Sequence, residues 1–219
     1  MGLKLITTAD GSHTLYVEEL DEHYHSLHGA IQESKHVYIQ AGFEQLHNQP
    51  SIDILEMGFG TGLNALLTAL VPYCGLVRYS TVEAYPLEQG AIDALNYAVQ
   101  LGAKAGSLFH LIHHSPWGVP LEVNPSFFIT KLKGSLQAQS FAHESFDLVY
   151  YDAFAPTVQP ELWQLDILTQ VAKWMRPKGI LVTYCAQGSF KRHLKQLGFT
   201  VEAIPGPPGK KEMTRAIKL

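Results

Sequence analysis

The fold is decided by residues 52–64, which read Ile-Asp-Ile-Leu-Glu-Met-Gly-Phe-Gly-Thr-Gly-Leu-Asn. An apolar strand pattern runs here into a glycine-rich turn that opens a helix. Glycine lets the backbone turn sharply and lets a ligand approach without a Cβ atom in the way. From Ser51 onward such strand patterns alternate with helical ones, which predicts βαβ units in a doubly wound parallel sheet of the α/β class. The predicted strands are Ile52–Glu56, Val77–Glu83, Asp147–Asp152 and Gly179–Ala186, and the predicted helices are Leu63–Leu70, Leu87–Leu101, Glu161–Met175 and Phe190–Leu197.

The spacing of the glycines excludes two common nucleotide sites. A dinucleotide fingerprint that starts at Gly58 needs Gly or Ala at position 63, where this chain has Leu63, because its third glycine comes one residue early at Gly62. No Lys followed by Ser or Thr closes the loop, so the phosphate-binding loop of nucleotide hydrolases is excluded as well.

The pattern E-x-G-x-G-x-G is similar instead to the S-adenosylmethionine loop of Rossmann-like (class I) methyltransferases. That resemblance implies that Glu56 takes the ammonium end of the ligand, directly or through water. Glu83 ends the second predicted strand 21 residues after Gly62, where an acid in nucleotide-binding α/β folds accepts both ribose hydroxyls. The competing interpretation is a tight turn without a ligand and a solvated strand end. The predicted cofactor-binding residues are Glu56, Gly58, Gly60, Gly62, Asn64, Glu83, Ala84 and Asp152.

The segment Asp152-Ala153-Phe154-Ala155-Pro156 follows a buried strand pattern, at the edge where open α/β sheets bind ligands. Methyl transfer to an amine needs a free lone pair on nitrogen. Asp152 is predicted to bind the amine, help remove its proton and orient it, and Phe154 is predicted to pack against the substrate or the charged methyl group. Both are the candidate catalytic residues, and the alternative is an ordinary strand end with a core phenylalanine.

Composition sets the broad class of the protein. The 219 residues are 46% hydrophobic and 16% charged, which suits one domain with a sizeable core. The apolar runs fall short of the roughly 20 residues that a membrane span needs, so we expect a cytoplasmic protein with no membrane partner. Cys74 and Cys185 support neither a disulfide framework nor a cysteine-rich zinc site, and both are predicted to be small buried residues.

Charge is distributed unevenly along the chain. The formal net charge is −4, but residues 173–219 hold ten Lys and Arg against two acids, while residues 1–172 hold six against eighteen. This asymmetry predicts that the last quarter of the chain faces an anion.

The first 47 residues differ in pattern from the rest. Leu3–Thr8 and His13–Glu18 flank an Asp-Gly turn signal, which predicts a β-hairpin followed by a polar helical stretch. We therefore expect an N-terminal extension at residues 1–47, packed on a Rossmann-like domain at residues 48–219. Within that domain, Phe109–His113 and Phe127–Lys131 are predicted as strands, Pro116–Pro125 as a loop or hairpin, and two strands around Pro205–Gly209 as an antiparallel pair.

Taken together, the segments resemble the tRNA wobble-uridine methyltransferases called MnmD, which correspond to the N-terminal half of bifunctional MnmC enzymes. The resemblance covers nearly the whole chain. The matching segments are Glu33–Tyr38, Leu55–Asn64, Val82–Leu87, Tyr151–Pro156 with Pro160–Trp163, and the tail Gly206–Met213.

The resemblance implies a class I fold with a mostly parallel seven-stranded sheet, and methylation of the 5-aminomethyl group of wobble (2-thio)uridine with S-adenosylmethionine as donor. The tRNA would lie against Lys191, Arg192, Lys210 and Lys211. The FAD-dependent oxidase half of MnmC is not expected in this chain, and an oxidase could act in trans. The chain departs from the family where members carry a Gly-Asp whose acid faces adenine, since no acid lies between Val123 and Ala142. Adenine recognition would then rest on backbone or on Thr130. Ala153 stands where members often have Gly.

Three other functions compete with this one. An enzyme for a small-molecule amine would use the same loop and Asp152, and the basic tail argues against it. A noncatalytic S-adenosylmethionine-fold module is disfavoured by the intact acids. A metal enzyme built on His23, His25 and His28, or on His110, His113 and His114, lacks a frame such as H-E-x-x-H, so no metal is predicted.

Overall fold

A computed structural model describes residues 2–219. The chain opens with a small antiparallel sheet of three strands, β1 (Leu3–Thr7), β2 (His13–Val17) and β3 (Glu22–His23). β1 and β2 pair with Leu3 opposite Val17, and Gly11 in the turn has a φ of +82°. The predicted hairpin is confirmed.

A helical segment follows this small sheet. It consists of α1 (Ala30–Ser34), a π-helical stretch (Lys35–Gln40) and a 3₁₀ turn (Phe43–Leu46). The buried side chains of the π-helical stretch are Val37, Tyr38 and Ile39, so one side of the segment packs against the interior of the protein.

The central sheet has eight strands. They are β4 (Ser51–Met57), β5 (Leu76–Glu83), β6 (Leu121–Asn124), β7 (Phe127–Lys133), β8 (Phe146–Tyr151), β9 (Met175–Thr183), β10 (Phe199–Pro205) and β11 (Glu212–Lys218), in the spatial order β10-β11-β9-β8-β4-β5-β7-β6. The pairs β4–β5, β4–β8, β5–β7 and β8–β9 are parallel, whereas β11 runs antiparallel to both β9 and β10. This confirms the doubly wound α/β sheet and the antiparallel final pair.

Six further helices connect these strands. They are α2 (Leu63–Leu70), α3 (Gln89–Asp93), α4 (Tyr97–Leu101), α5 (Ala103–His114), α6 (Leu165–Trp174) and α7 (Gly188–Gln196), and 3₁₀ turns occupy Leu136–Ala138 and Pro160–Trp163. Among residues 2–219, no helix is both long and apolar enough to cross a membrane.

Hydrophobic residues fill both faces of the sheet, as a parallel sheet requires. Successive side chains of a strand point to opposite faces, so Ile54 of β4 joins one core and Leu55 joins the other. Val37 and Phe43 belong to the same core as Ile54. The extension therefore packs on one face of the sheet, and its division from the rest after residue 47 stays a prediction.

Several sequence predictions are corrected here. The sheet has one strand more than the seven predicted, because part of Pro116–Pro125 forms β6 at the edge next to β7. Phe109–His113 is helical and not a strand; Ala105, Leu108, Phe109 and Ile112 are buried along one face of α5. Cys185 is buried as predicted, but Cys74 is exposed.

The helix predicted over Leu87–Leu101 is divided in two. Asn96 lies between the two parts, with φ −99° and ψ 17°. Its side-chain amide donates to the carbonyl oxygen of Gly11 at 2.8 Å and accepts from the backbone N–H of His13 at 2.8 Å. These bonds to the hairpin hold Asn96 outside a continuous helix.

Candidate active site

The loop between β4 and α2 passes through left-handed backbone conformations at three glycines. The φ angles are +89° at Gly58, +50° at Gly60 and +72° at Gly62. A Cβ atom on Gly58 would collide with the carbonyl oxygen of Asp152, whose own N–H donates to the carbonyl oxygen of Met57 at 3.1 Å. Glycine at position 58 therefore allows the ends of β4 and β8 to lie side by side.

A cavity of about 770 Å³ opens at this edge of the sheet. Eight of the residues predicted for the site line it: Gly58, Gly60, Asn64, Glu83, Ala84, Asp152, Phe154 and Lys210. Five others, among the described residues, do not line it: Glu56, Gly62, Lys191, Arg192 and Lys211. The fold thus brings most of the predicted site residues together around one cavity.

Glu83 is fixed at the end of β5 by backbone donors. One carboxylate oxygen accepts the N–H of Gly60 at 2.9 Å and the other accepts the N–H of Tyr85 at 2.8 Å. Glu83 therefore ties the glycine loop to β5. Its remaining lone pairs can accept hydrogen bonds from hydroxyl groups in the cavity.

Asp152 stands on the opposite side of the glycine loop. The side-chain amide of Asn64 donates to its carboxylate at 2.8 Å, and the hydroxyl of Tyr38 lies beside it. Burial raises the pKa of Asp152 to about 7, against the opposing effect of Tyr38 and Asn64. A carboxyl group with this pKa can both accept and release a proton near neutral pH.

Glu56 lies beneath the cavity rather than in its wall. It is completely buried and accepts a hydrogen bond from the hydroxyl of Thr81 at 2.7 Å. Burial raises the pKa of Glu56 to about 8. Asn64 lines the cavity and Glu56 does not, and the contact predicted for Glu56, directly or through water, stays a prediction.

Aromatic rings close one side of the cavity. Phe154 and Tyr24 meet edge to face, with 5.2 Å between ring centroids. The indole N–H of Trp163 donates to the carbonyl oxygen of Phe154 at 2.8 Å. The hydroxyl of Tyr184 donates to the carbonyl oxygen of Ala153 at 2.7 Å. These two hydrogen bonds anchor the backbone of the segment after Asp152.

The N-terminal extension forms a whole wall of the cavity, which the sequence analysis missed. Its lining residues are Leu20, Glu22, His23, Tyr24, His25, Ser26, Leu27 and Glu33. The only available signal was the polar and aromatic run Glu22–His25, which has no fixed spacing to the glycine loop.

Two histidines hold Thr61 at the centre of the glycine loop. His25 of the extension bonds the Thr61 hydroxyl at 2.7 Å, and His113 of α5 donates to the Thr61 carbonyl oxygen at 3.0 Å. Burial lowers the pKa of both histidines to about 4, so both are neutral near pH 7. Within residues 2–219 no three His, Cys, Asp or Glu side chains form a metal-binding group.

The far end of the cavity is lined by backbone and small side chains. Gly134, Ser135, Leu136 and Gln137 follow β7 there, and the N–H of Gly134 donates to the carbonyl oxygen of Glu83 at 2.9 Å. Thr130 lies in the middle of β7, opposite Ser80, and is not part of this lining. A planar ring at this end would meet the segment after β7 and not Thr130.

The basic residues of the tail fall into two groups. Lys210 lines the cavity with its side chain 36% exposed and pairs with Glu33 at 3.0 Å, and Lys191 pairs with Glu212 at 2.5 Å. Arg192 and Lys211 are exposed. The four residues predicted to bind an anion are therefore not equivalent.

Comparison with known proteins agrees with this geometry. A family model described as S-adenosyl-L-methionine-dependent methyltransferase matches residues 124–219. Two similar sequences are called tRNA 5-methylaminomethyl-2-thiouridine biosynthesis bifunctional protein MnmC: that of Ralstonia nicotianae is 30% identical over 93% of this chain, and that of Magnetococcus marinus 32% over 97%. The chain spans about one third of the length of each, 33% and 34%.

Solved structures point in the same direction. MNMC2 from Aquifex aeolicus superimposes with a TM-score of 0.78 at 27% identity, over 98% of this chain and 69% of that one. Spermidine synthase from Thermotoga maritima superimposes with a TM-score of 0.56 at 10% identity, covering 100% of this chain and 72% of that one. The latter likeness shows the fold alone.

Proposed function

The chain belongs to the S-adenosylmethionine-dependent methyltransferases that include the methyltransferase domain of the MnmC proteins, and from this we propose that it methylates the 5-aminomethyl group of wobble (2-thio)uridine in tRNA. The product would be 5-methylaminomethyl-(2-thio)uridine. The single observation that carries the proposal is the Asp152 carboxylate, held in the cavity wall beside the glycine loop by Asn64.

The cavity fits the methyl donor of this family. Glu83 has free lone pairs for ribose hydroxyls, and the segment after β7 lines the end where adenine would lie. Asn64 is buried and its Oδ1 has no hydrogen-bond partner among the described residues, so it can accept a bond from the ammonium group. When bound, the donor supplies a methyl group on a positively charged sulfur.

Asp152 performs the proton chemistry. A primary amine is protonated near neutral pH and has no free lone pair in that form. The Asp152 carboxylate would bind the ammonium group, take its proton and leave the nitrogen lone pair aimed at the methyl carbon. One C–S bond breaks and one C–N bond forms, and the proton ends on Asp152 before it passes to water. Holding the nitrogen near its target provides much of the rate.

The aromatic wall would hold the base. Phe154 and Tyr24 present ring edges and faces to the cavity beside Asp152. Aromatic side chains stack an unpaired nucleobase, and each stacked base contributes about 1–3 kcal/mol. Single-stranded RNA loops offer such bases, which supports a base in a loop as the methyl acceptor.

The test is incubation of the purified protein and labelled S-adenosylmethionine with tRNA that carries 5-aminomethyluridine, followed by mass analysis of the nucleosides. We expect 5-methylaminomethyluridine with the wild type and a strongly reduced rate of its formation with Asp152→Asn, whereas Asp93→Asn, at an exposed helix position, serves as the control. Retained donor binding with no methyl transfer to this tRNA would overturn the proposal. Equal kcat/KM for the free nucleoside would favour a small-molecule amine as substrate.

The remaining partner assignments belong to the same proposal. The MnmC relatives are bifunctional by name and about three times as long as this chain. We propose cytoplasmic action on tRNA, with an oxidase that supplies the aminomethyl group acting in trans. The oligomeric state is left open.

A further inference from the structure

The loop between β10 and β11 closes against the N-terminal extension. Two N–H groups of the loop donate hydrogen bonds within it. The N–H of Gly206 donates to the carbonyl oxygen of Lys211, and the N–H of Lys210 donates to the carbonyl oxygen of Pro207. Gly209 lies so close to the ring of His28 that a Cβ atom there would collide with it. The loop thus brings Lys210 to the extension side of the cavity.

The ammonium group of Lys210 is committed to two partners inside the protein. It donates to a carboxylate oxygen of Glu33 at 3.0 Å and lies 3.9 Å from the ring centroid of Tyr184. Glu33 is only 6% exposed, and its other oxygen accepts the N–H of Ser26 at 2.8 Å. These two contacts hold the ammonium group at the extension side of the cavity.

These partners place the charge in the wall of the cavity that also contains the reacting carboxyl group. Tyr184 donates a hydrogen bond to the carbonyl oxygen of Ala153, the residue that follows Asp152. Lys210, Glu33, Tyr184 and Asp152 all line the same cavity. One positive and one negative charge therefore face Asp152 from different elements, the β10–β11 loop and α1.

We propose that Lys210 is a positioning residue for the reaction and not a phosphate contact: anchored by Glu33 and Tyr184, its ammonium group stabilises the carboxylate form of Asp152, and Glu33 opposes this effect. The inference rests on the proposed function only for the role of Asp152 as proton acceptor.

Electrostatics supports this arrangement. The groups that act on Asp152 come from several elements. They are Tyr38 from the π-helical stretch, Asn64 from α2, Glu33 from α1, Glu56 from β4, Tyr79 from β5, Tyr184 from the segment after β9 and Lys210 from its loop. Burial has the largest effect and raises the pKa of Asp152, Glu33 raises it further, and Lys210 lowers it. A nearby opposite charge favours the ionised form and a like charge disfavours it.

A purely structural role for the pair predicts a different behaviour. If Glu33 and Lys210 only joined the loop to the extension, removal of either charge would loosen the same contact. Both variants would then alter the site in the same direction. The electrostatic role requires opposite directions.

The first measurement needs neither donor nor tRNA. The protein is prepared with aspartate carrying ¹³C at the carboxyl carbon, and the Asp152 signal is identified by its absence in Asp152→Asn. In Lys210→Met the titration midpoint of Asp152 moves to higher pH than in the wild type. In Glu33→Gln it moves to lower pH. Lys211→Met, which removes an exposed neighbouring charge, leaves it unchanged.

The second measurement is the pH dependence of kcat with aminomethyl tRNA. The carboxylate is the active form, so the rate rises with pH through the Asp152 pKa. Lys210→Met moves this rise to higher pH and Glu33→Gln to lower pH, and at a pH below the rise kcat changes about tenfold for each unit of displacement. Lys210→Arg keeps the charge and keeps the profile.

The outcomes separate the two proposals. Midpoints that stay in place, or that move together in Lys210→Met and Glu33→Gln, overturn the role of Lys210. Opposite movements with an inactive wild type support that role and overturn the tRNA substrate instead. If Lys210→Met does not fold, as judged by donor binding in calorimetry, Lys210→Gln removes the charge and retains a hydrogen-bond donor to Glu33.

Discussion

The ring of Tyr24 meets the ring of Phe154 edge to face, with 5.2 Å between their centroids. Tyr24 comes from the extension and Phe154 from the segment after β8, so the contact joins two parts of the chain that are 130 residues apart. Tyr24 also lies against Gly60 of the glycine loop. One aromatic side chain of the extension therefore touches both the loop and the acceptor side of the cavity.

Tyr24→Ala should weaken both donor binding and turnover. Edge-to-face aromatic pairs contribute about 0.5–1.5 kcal/mol beyond the area that they bury, which corresponds to a roughly 2- to 13-fold loss in affinity. Calorimetry with S-adenosylmethionine measures the donor affinity, and methyl-transfer kinetics measure the turnover. Tyr24→Phe keeps the ring and should retain both properties; a loss of similar size in this control would contradict a packing role.

Glu83→Ala should weaken donor binding by about 1–3 kcal/mol, the range for hydrogen bonds to a charged group. The acid fixes Gly60 and Tyr85 through their N–H groups and is the predicted partner of the ribose. Calorimetry checks this, with Glu88→Ala at an exposed position nearby as the control. Unchanged affinity in Glu83→Ala would remove Glu83 from the site.

Asp152→Asn should lower kcat by about 10²- to 10⁴-fold, the contribution of a general base, while donor affinity stays close to that of the wild type. In the wild type kcat should rise with pH through about 7, because burial raises the pKa of Asp152 to that value and only the carboxylate accepts a proton. A flat profile between pH 6 and pH 8, or near wild-type turnover in the variant, would contradict the assignment.

Gly58→Ala should destabilise the protein and abolish activity. The added Cβ atom would collide with the carbonyl oxygen of Asp152 and would require a positive φ of 89°, a strain of about 1–3 kcal/mol before the collision is counted. Gly90→Ala is the matched control, since a Cβ atom there meets nothing within 4 Å and alanine favours the helix. Thermal unfolding should show a lower midpoint for the first variant only.

Arg192→Ala combined with Lys211→Ala should raise the KM for tRNA and flatten its dependence on salt. Both side chains are exposed, and each phosphate contact that is removed lowers the salt slope by about one. Lys173→Ala, beside the start of β8, is the control. An unaltered slope in the double variant would place the tRNA on another surface.

Local sequence patterns were sufficient to predict much of the fold. The glycine loop and Glu83 depend on residues close to one another in the chain and on the rule that ligands meet the carboxyl ends of parallel strands. The hairpin at Asp10 and Gly11 depends on a turn signal of the same local kind. For such features sequence spacing and spatial proximity coincide.

The errors arose where distant contacts override local preference. Asn96 interrupts a helix because it bonds the hairpin turn, and Phe109–His113 is apolar enough to suit either a strand or a buried helix. The pairing of Lys210 depends on Glu33, 177 residues away in the chain. Charge counts along the sequence cannot show which lysines pair with a carboxylate at the cavity.

Thr61 is bonded from two sides, by His25 of the extension and by His113 of α5. We therefore expect a ligand that stiffens the glycine loop to stiffen the attachment of the extension as well, and by thermodynamic reciprocity the attached extension then increases the affinity for the ligand by an equal free energy. Amide hydrogens of β2 and β3 should accordingly exchange more slowly with solvent once the donor is bound, although they lie outside the central sheet. The affinity of the glycine loop for the donor should thus depend on whether the N-terminal extension is packed against it.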